Sequence, residues 1–242
     1  MVPTSKSSAF AINSEIAAIV TTANQSIKKQ PCLWLLHGSG GISSNDDLWR
    51  DRALTLGYTV IQVDSYTNRG IFKQHWDKLD EYRIAPEVRA HDLVQAMYWL
   101  KDRYPVMPFA DITNSVCVGF SDGASGAICL QEHHSPDLWR KSFCLYPGLP
   151  RYFLDRVTNI RNEKTHIFVG ELDNWTPAAA CEEFQSNTNC SLTIIPDTHH
   201  SFSKPGINQW HEQTLRTRTE RGVFCKYSET ATQMVMDKVF NA

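Results

Sequence analysis

The pentapeptide Gly119-Phe120-Ser121-Asp122-Gly123 sets a serine between two glycines, after the apolar run Ser115–Gly119 and before the small residues Ala124 to Ala127. A serine hydroxyl is a weak nucleophile near neutral pH. It becomes a useful one when a base takes its proton and a carboxylate orients that base. The pattern G-x-S-x-G between a strand and a helix builds a sharp turn that lifts the serine clear of the sheet, with glycines where side chains would collide. A plain strand-to-helix turn is the competing reading of the same five residues.

The partners should follow in the order acid then base, each on a loop after a strand. Downstream, the apolar segment around His166 to Val169 runs into Gly170-Glu171-Leu172-Asp173-Asn174-Trp175-Thr176-Pro177. Asp173 stands where an orienting acid would, and Glu171 is its rival, nearer the strand end. The next run, Leu192–Ile195, leads into Pro196-Asp197-Thr198-His199-His200-Ser201-Phe202, so one of two adjacent histidines is the expected base. A histidine pair can also ligate zinc, but no third ligand stands at metal spacing and HExxH is absent.

Acyl transfer also needs donors for the oxyanion that develops on the attacked carbonyl. The backbone N–H after the nucleophile, that of Asp122, is one candidate. Leu35-Leu36-His37-Gly38-Ser39-Gly40-Gly41 has the form of the loop that supplies a second, from Ser39 or Gly40. This glycine-rich loop lacks both GxxxxGK[ST] and GxGxxG, which argues against a nucleotide phosphate there.

Positioning these loops requires a sheet. Six short runs read as strands: Cys32–Leu36, Thr59–Val63, Ser115–Gly119, Ser142–Tyr146, Thr165–Val169 and Leu192–Ile195. Helical patterns alternate with them over Asp47–Leu56, from Pro86 onward, and over Ala124–Gln131, Ala178–Gln185 and Ser228–Phe240. In the second of these Leu93, Ala96, Met97 and Leu100 form one apolar stripe. The alternation predicts a mostly parallel sheet with helices on both faces. Its ligands should bind beyond the carboxyl ends of the strands.

The 242 residues, 42% hydrophobic and 21% charged with a formal net charge of −2, suit a single large α/β domain. Residues 1–29 read as an N-terminal extension packed on a domain spanning 30–242. The balanced charge gives no reason to expect nucleic acid or an anionic membrane as partner. No apolar run reaches the roughly 18 residues that span a bilayer. Glu15 interrupts the apolar stretch near the N-terminus, so a cytoplasmic location is expected, with a periplasmic or secreted one as alternative if a signal has been removed. The seven cysteines contain no CxxC pair. Cys181, expected in a helix, and Cys190, expected at a strand start, are expected to remain unbridged.

Together, LLHGSGG (35–41), GYTVIQVDSYTNRG (57–70), EVRAHDLVQAMYWL (87–100), VGFSDGASGA (118–127), GELDNWTPAAACEEF (170–184) and DTHHSF (197–202) resemble the dienelactone hydrolase family of α/β-hydrolases. The resemblance implies the α/β-hydrolase fold and the triad Ser121, Asp173 and His200. It favours Asp173 over Glu171 through DNWTPAAAC, and His200 over His199 because a small residue and then an aromatic follow the family's base. It implies no cofactor. The enzyme that gives the family its name carries a cysteine where this chain has Ser121, which points from dienelactone toward broader esterase activity.

About 18 residues separate Pro147 from the next strand, too few for an inserted cap domain, so an open site for a small ester is expected. Two long excursions, 64–85 and 203–226, could shape it. Tyr66, Arg69 and Trp175 are candidate substrate-binding residues. Arg69 could hold a substrate carboxylate in a bidentate pair, or pair with a structural acid such as Asp64. The chain is expected to act as a monomer or homodimer. A serine peptidase, an acyltransferase or a non-catalytic binding protein on the same scaffold are the alternatives.

Overall fold

A computed structural model describes residues 5–23, 29–71, 84–102, 110–133, 140–150, 154–155, 164–211 and 222–241. Phe72, Trp76 and Tyr82 of the first excursion lie outside these residues. The strands are β1 (Ser5–Ala11), β2 (Ala17–Ala23), β3 (Gln30–Leu36), β4 (Thr59–Asp64), β5 (Ala110–Phe120), β6 (Lys141–Leu145), β7 (Thr165–Gly170), β8 (Ser191–Ile195), β9 (Asn208–His211) and β10 (Val223–Lys226). The helices are α1 (Ser44–Thr55), α2 (Pro86–Asp102), α3 (Asp122–His133), α4 (Ala178–Thr188) and α5 (Glu229–Phe240).

Eight strands form one sheet in the order β1-β2-β4-β3-β5-β6-β7-β8. From β4 to β8 all neighbours are parallel. The chain steps from β3 outward to β4 and then returns to place β5 on the other side of β3. The direction of winding therefore reverses between β3 and β5, and a crevice opens beyond their carboxyl ends.

Side-chain alternation along β3 divides the core. Cys32, Trp34 and Leu36 pack on one face with residues of α2, α3 and α4. Leu33 and Leu35 point to the other face, against Trp49 and Leu54 of α1 and Val235 and Val239 of α5. Strands buried on both faces read as continuous apolar runs, which is why the parallel ones were visible in the sequence.

Within the N-terminal segment, residues 5–23 are part of the central sheet. β1 and β2 form an antiparallel hairpin whose second strand pairs with β4, so they lengthen the central sheet. Ile16, Ala18 and Val20 are buried in the same core as α2 and α3. Outside this sheet, β9 and β10 make a two-stranded antiparallel ribbon within the second excursion. Only residues 146–164 lie between β6 and β7, which leaves no room there for an inserted domain. Among the described residues no helix is long and apolar enough to cross a membrane.

Candidate active site

Ser121 stands between the end of β5 and the start of α3 with φ at +51°. A side-chain-bearing residue held in the left-handed region costs on the order of 1–3 kcal/mol and needs surroundings that enforce it. Two backbone bonds do so: Ser121 N–H donates to the Leu145 carbonyl at 3.0 Å, and its carbonyl accepts from Ser125 N–H at 3.1 Å. The flanking glycines allow close approach. A Cβ on Gly123 would lie 2.2 Å from the Leu36 carbonyl oxygen, and one on Gly119 would lie 2.6 Å from Cα of Ala124. The G-x-S-x-G pattern is thus a packing requirement that presses α3 onto the ends of β3 and β5.

Asp173 follows β7 and is buried. Its Oδ1 accepts the N–H groups of Trp175 at 2.9 Å and Thr176 at 2.8 Å. Its Oδ2 lies 2.8 Å from Nδ1 of His200 and 2.9 Å from the Thr176 hydroxyl. Glu171, the rival acid, is exposed and accepts Asp197 N–H at 3.2 Å, bracing the neighbouring loop instead.

His200 follows β8 on a loop bent by left-handed residues at Asp197 and Ser201. Its ring lies between two aromatics, Tyr146 at 4.8 Å edge-on and Trp175 at 5.0 Å. The Lys226 N–H donates to its carbonyl at 3.2 Å, so the β9–β10 ribbon supports the loop. His199 turns the other way, with its ring 4.8 Å from Phe224.

One cleft is lined by Ser121 and His200 together with Ser39, Gly40, Trp175 and Tyr146. Ser43, Asn45, Lys204, Gln209 and His211 add polar groups to its wall. The glycine-rich loop lies against the elbow, since a Cβ on Gly38 would sit 3.6 Å from that of Ser121. Within the loop Gly41 N–H closes a turn onto the Gly38 carbonyl at 3.1 Å. Asp122 opens α3, where the first backbone N–H groups of a helix have no intrahelical partner.

Behind this loop His37 is buried, with Nδ1 2.7 Å from the Gly38 carbonyl and Nε2 accepting Ser65 N–H at 3.3 Å. Those partners fix the tautomer with the proton on Nδ1. Burial, and next the Arg89 guanidinium, lower its pKa to about 4 and keep the ring neutral. Arg89 itself donates to the His37 carbonyl at 3.0 Å and to the Tyr66 hydroxyl at 2.6 Å.

Two of the three expected substrate-binding residues are elsewhere. Arg69 forms a bidentate pair with Asp92 of α2, at 2.7 and 2.8 Å, and also donates to the Ser65 carbonyl. Its structural partner is Asp92 rather than Asp64, whose carboxylate instead accepts the N–H groups of Tyr66 and Thr67. Tyr66 is buried between Arg89 and the His37 ring. Neither lines the cleft; Trp175 does.

The sequence reading missed Tyr146 as a site residue, although it ends a recognised strand run. Its φ is +43°, its hydroxyl lies 2.7 Å from that of Ser203, and burial raises its pKa above the usual phenol value. All seven cysteines are buried free thiols, including Cys181 and Cys190. Among the described residues no group of three or more His, Cys, Asp or Glu is arranged to hold a metal ion.

No family model matches the sequence, and no curated protein matches it. Solved structures do. The crystal structure of a "Putative Dienelactone Hydrolase" from Klebsiella pneumoniae subsp. pneumoniae MGH 78578 superposes with a TM-score of 0.73 over 98% of both chains, at 14% identity. The chain has the α/β-hydrolase fold. With 1091 solved chains matching, that fold is too widely used to name a reaction, and the chemistry has to be argued from the site.

Proposed function

We propose that this protein is a cofactor-independent serine hydrolase that cleaves small carboxylic esters through an acyl-enzyme. The observation that carries the reading is that Ser121, on its left-handed turn, and His200, bonded to Asp173, line the same cleft. The Klebsiella neighbour's description supports a hydrolase on this fold.

In the proposed cycle Ser121 Oγ attacks the ester carbonyl while His200 Nε2 takes its proton. Asp173 holds Nδ1–H and stabilises the imidazolium that forms. The N–H of Asp122 and that of Ser39 or Gly40 bind the oxyanion. Collapse transfers the proton from His200 to the departing alcohol and leaves the acyl group on Ser121. Water, deprotonated by the same histidine, then releases the carboxylic acid.

The test is incubation with a fluorophosphonate followed by peptide mass mapping. Covalent label on Ser121, lost in Ser121→Ala, is expected. An unlabelled chain, or label that persists in Ser121→Ala, would overturn the reading.

A further inference from the structure

Thr176 touches every part of the acid–base pair. Its Oγ1 is 2.9 Å from Asp173 Oδ2, 3.1 Å from His200 Nδ1 and 3.2 Å from the Tyr146 carbonyl. Its own N–H donates to the other carboxylate oxygen at 2.8 Å. We propose that Thr176 is a positioning residue for catalysis, its hydroxyl holding Asp173 and His200 in the geometry that turns Nε2 toward Ser121. This inference rests on the serine-hydrolase reading above.

Two backbone N–H groups hold Oδ1 of Asp173. Oδ2 receives the His200 N–H and the Thr176 hydroxyl. Without the hydroxyl, Oδ2 keeps the imidazole as its remaining partner, and the bond between carboxylate and ring loses the side-chain group that touches both of its ends. Tyr146 and Trp175 flank the ring but supply no directional bond to its nitrogens.

The hydroxyl has a single proton and two oxygen acceptors within reach, the Asp173 carboxylate and the Tyr146 carbonyl. When it donates to Tyr146, a lone pair of Oγ1 faces Nδ1–H, which is then shared between Oγ1 and Oδ2. When it donates to Asp173, the carboxylate alone accepts from Nδ1. Both arrangements place only acceptors before Nδ1. The proton therefore stays there, and Nε2 is left as the base. Tyr146 is a firm anchor, because its backbone sits in the left-handed region with its N–H bonded to the Phe168 carbonyl at 2.6 Å.

The experiment compares wild type, Thr176→Val and Thr176→Ser in the full chain. It measures kcat and KM on p-nitrophenyl acetate, the rate of fluorophosphonate labelling at Ser121, and Tm. Thr176→Val is expected to lower kcat and the labelling rate together by about 10- to 100-fold, the size of effect that misplaced catalytic groups produce. KM should stay within about twofold, and Thr176→Ser should recover to within about threefold of wild type, since uniform binding is untouched and the hydroxyl is back. Should Thr176→Val fail to fold, Thr176→Ala carries the same expectation. Wild-type kcat in the hydroxyl-free variants, or Thr176→Ser as slow as Thr176→Val, would overturn the inference while the hydrolase reading stands. A wild-type chain that does not label at Ser121 would instead sink the hydrolase reading, and this one with it.

Discussion

Nδ1 of His200 lies 2.8 Å from Oδ2 of Asp173, and both side chains are closed to solvent. Burial makes this contact sensitive to the loss of either partner, since the group left behind cannot turn to water. In the proposed cycle, Ser121→Ala, His200→Ala and Asp173→Asn should each lower ester turnover by several orders of magnitude. The double Ser121→Ala/His200→Ala variant should be little worse than either single one, because the residues act as a unit. Steady-state kinetics on p-nitrophenyl acetate check this. His199→Ala should retain most activity, and a dead His199→Ala beside an active His200→Ala would reassign the base.

Arg69 is expected to matter for stability and not for substrate. Removing it leaves Asp92 fully buried without its guanidinium, a change worth roughly 3 kcal/mol for a pair of this kind. In a chain of this size that corresponds to about 6–12 °C in Tm. Arg69→Met should show this loss, and Arg69→Met/Asp92→Leu should recover part of it. The ratio of kcat/KM between an anionic and a neutral ester should be unchanged. A selective loss on the anionic ester would return Arg69 to the substrate site.

Asp46 supplies a pH signature. Its Oδ2 accepts the N–H and hydroxyl of Ser43, while burial raises its pKa to about 7. A carboxyl whose folded pKa exceeds its unfolded value contributes stability that is fully present below the unfolded pKa, near 4, and is lost as pH rises to about 7. His37 and His166, both lowered to about 4, slope the opposite way between pH 4 and 6.5, so the raw profile mixes them. The difference isolates Asp46. Tm of Asp46→Asn minus Tm of wild type should increase steadily from pH 4 to 7. A flat difference would mean that Asp46 is ionised in the fold.

Substrate length follows from the wall of the cleft. Among the described residues the wall mixes Phe120, Tyr146, Trp175 and Ile207 with Ser39, Ser43, Asn45, Lys204, Gln209 and His211, so an acyl chain meets polar groups beside apolar ones. Each buried methylene adds about 0.8 kcal/mol only while there is apolar surface to cover it. Acetyl to butyryl esters should be preferred, with kcat/KM falling beyond roughly eight carbons. An optimum at palmitoyl esters would contradict this.

The parallel strands and their helices were legible because each carries an apolar run broken by turn residues. The same signal failed for β1, whose residues SKSSAFA are almost all exposed at the sheet edge and carry no apolar run. It failed again for β9 and β10, four residues each, too short to display a period. Ser121, Asp173 and His200 were readable as candidates because each follows a strand end. The structural acid that Arg69 pairs with was not identified because it stands 23 positions away on α2, and no local pattern reveals which acid a loop arginine will meet. Thr176 and Tyr146 were passed over for a related reason, since their parts come from contacts between loops that only the folded sheet brings together.

Because Lys226 N–H holds the His200 carbonyl and Ser228 N–H holds that of Phe202, the base loop is completed by chain made after it. At synthesis rates of about 5–20 residues per second, the bracing segment leaves the ribosome roughly one to six seconds after His200 does. Until then the base loop lacks these two backbone bonds, while the partners of the His200 ring, Asp173 and Thr176, are already made. In the proposed esterase the base is thus the last part of the triad to be braced.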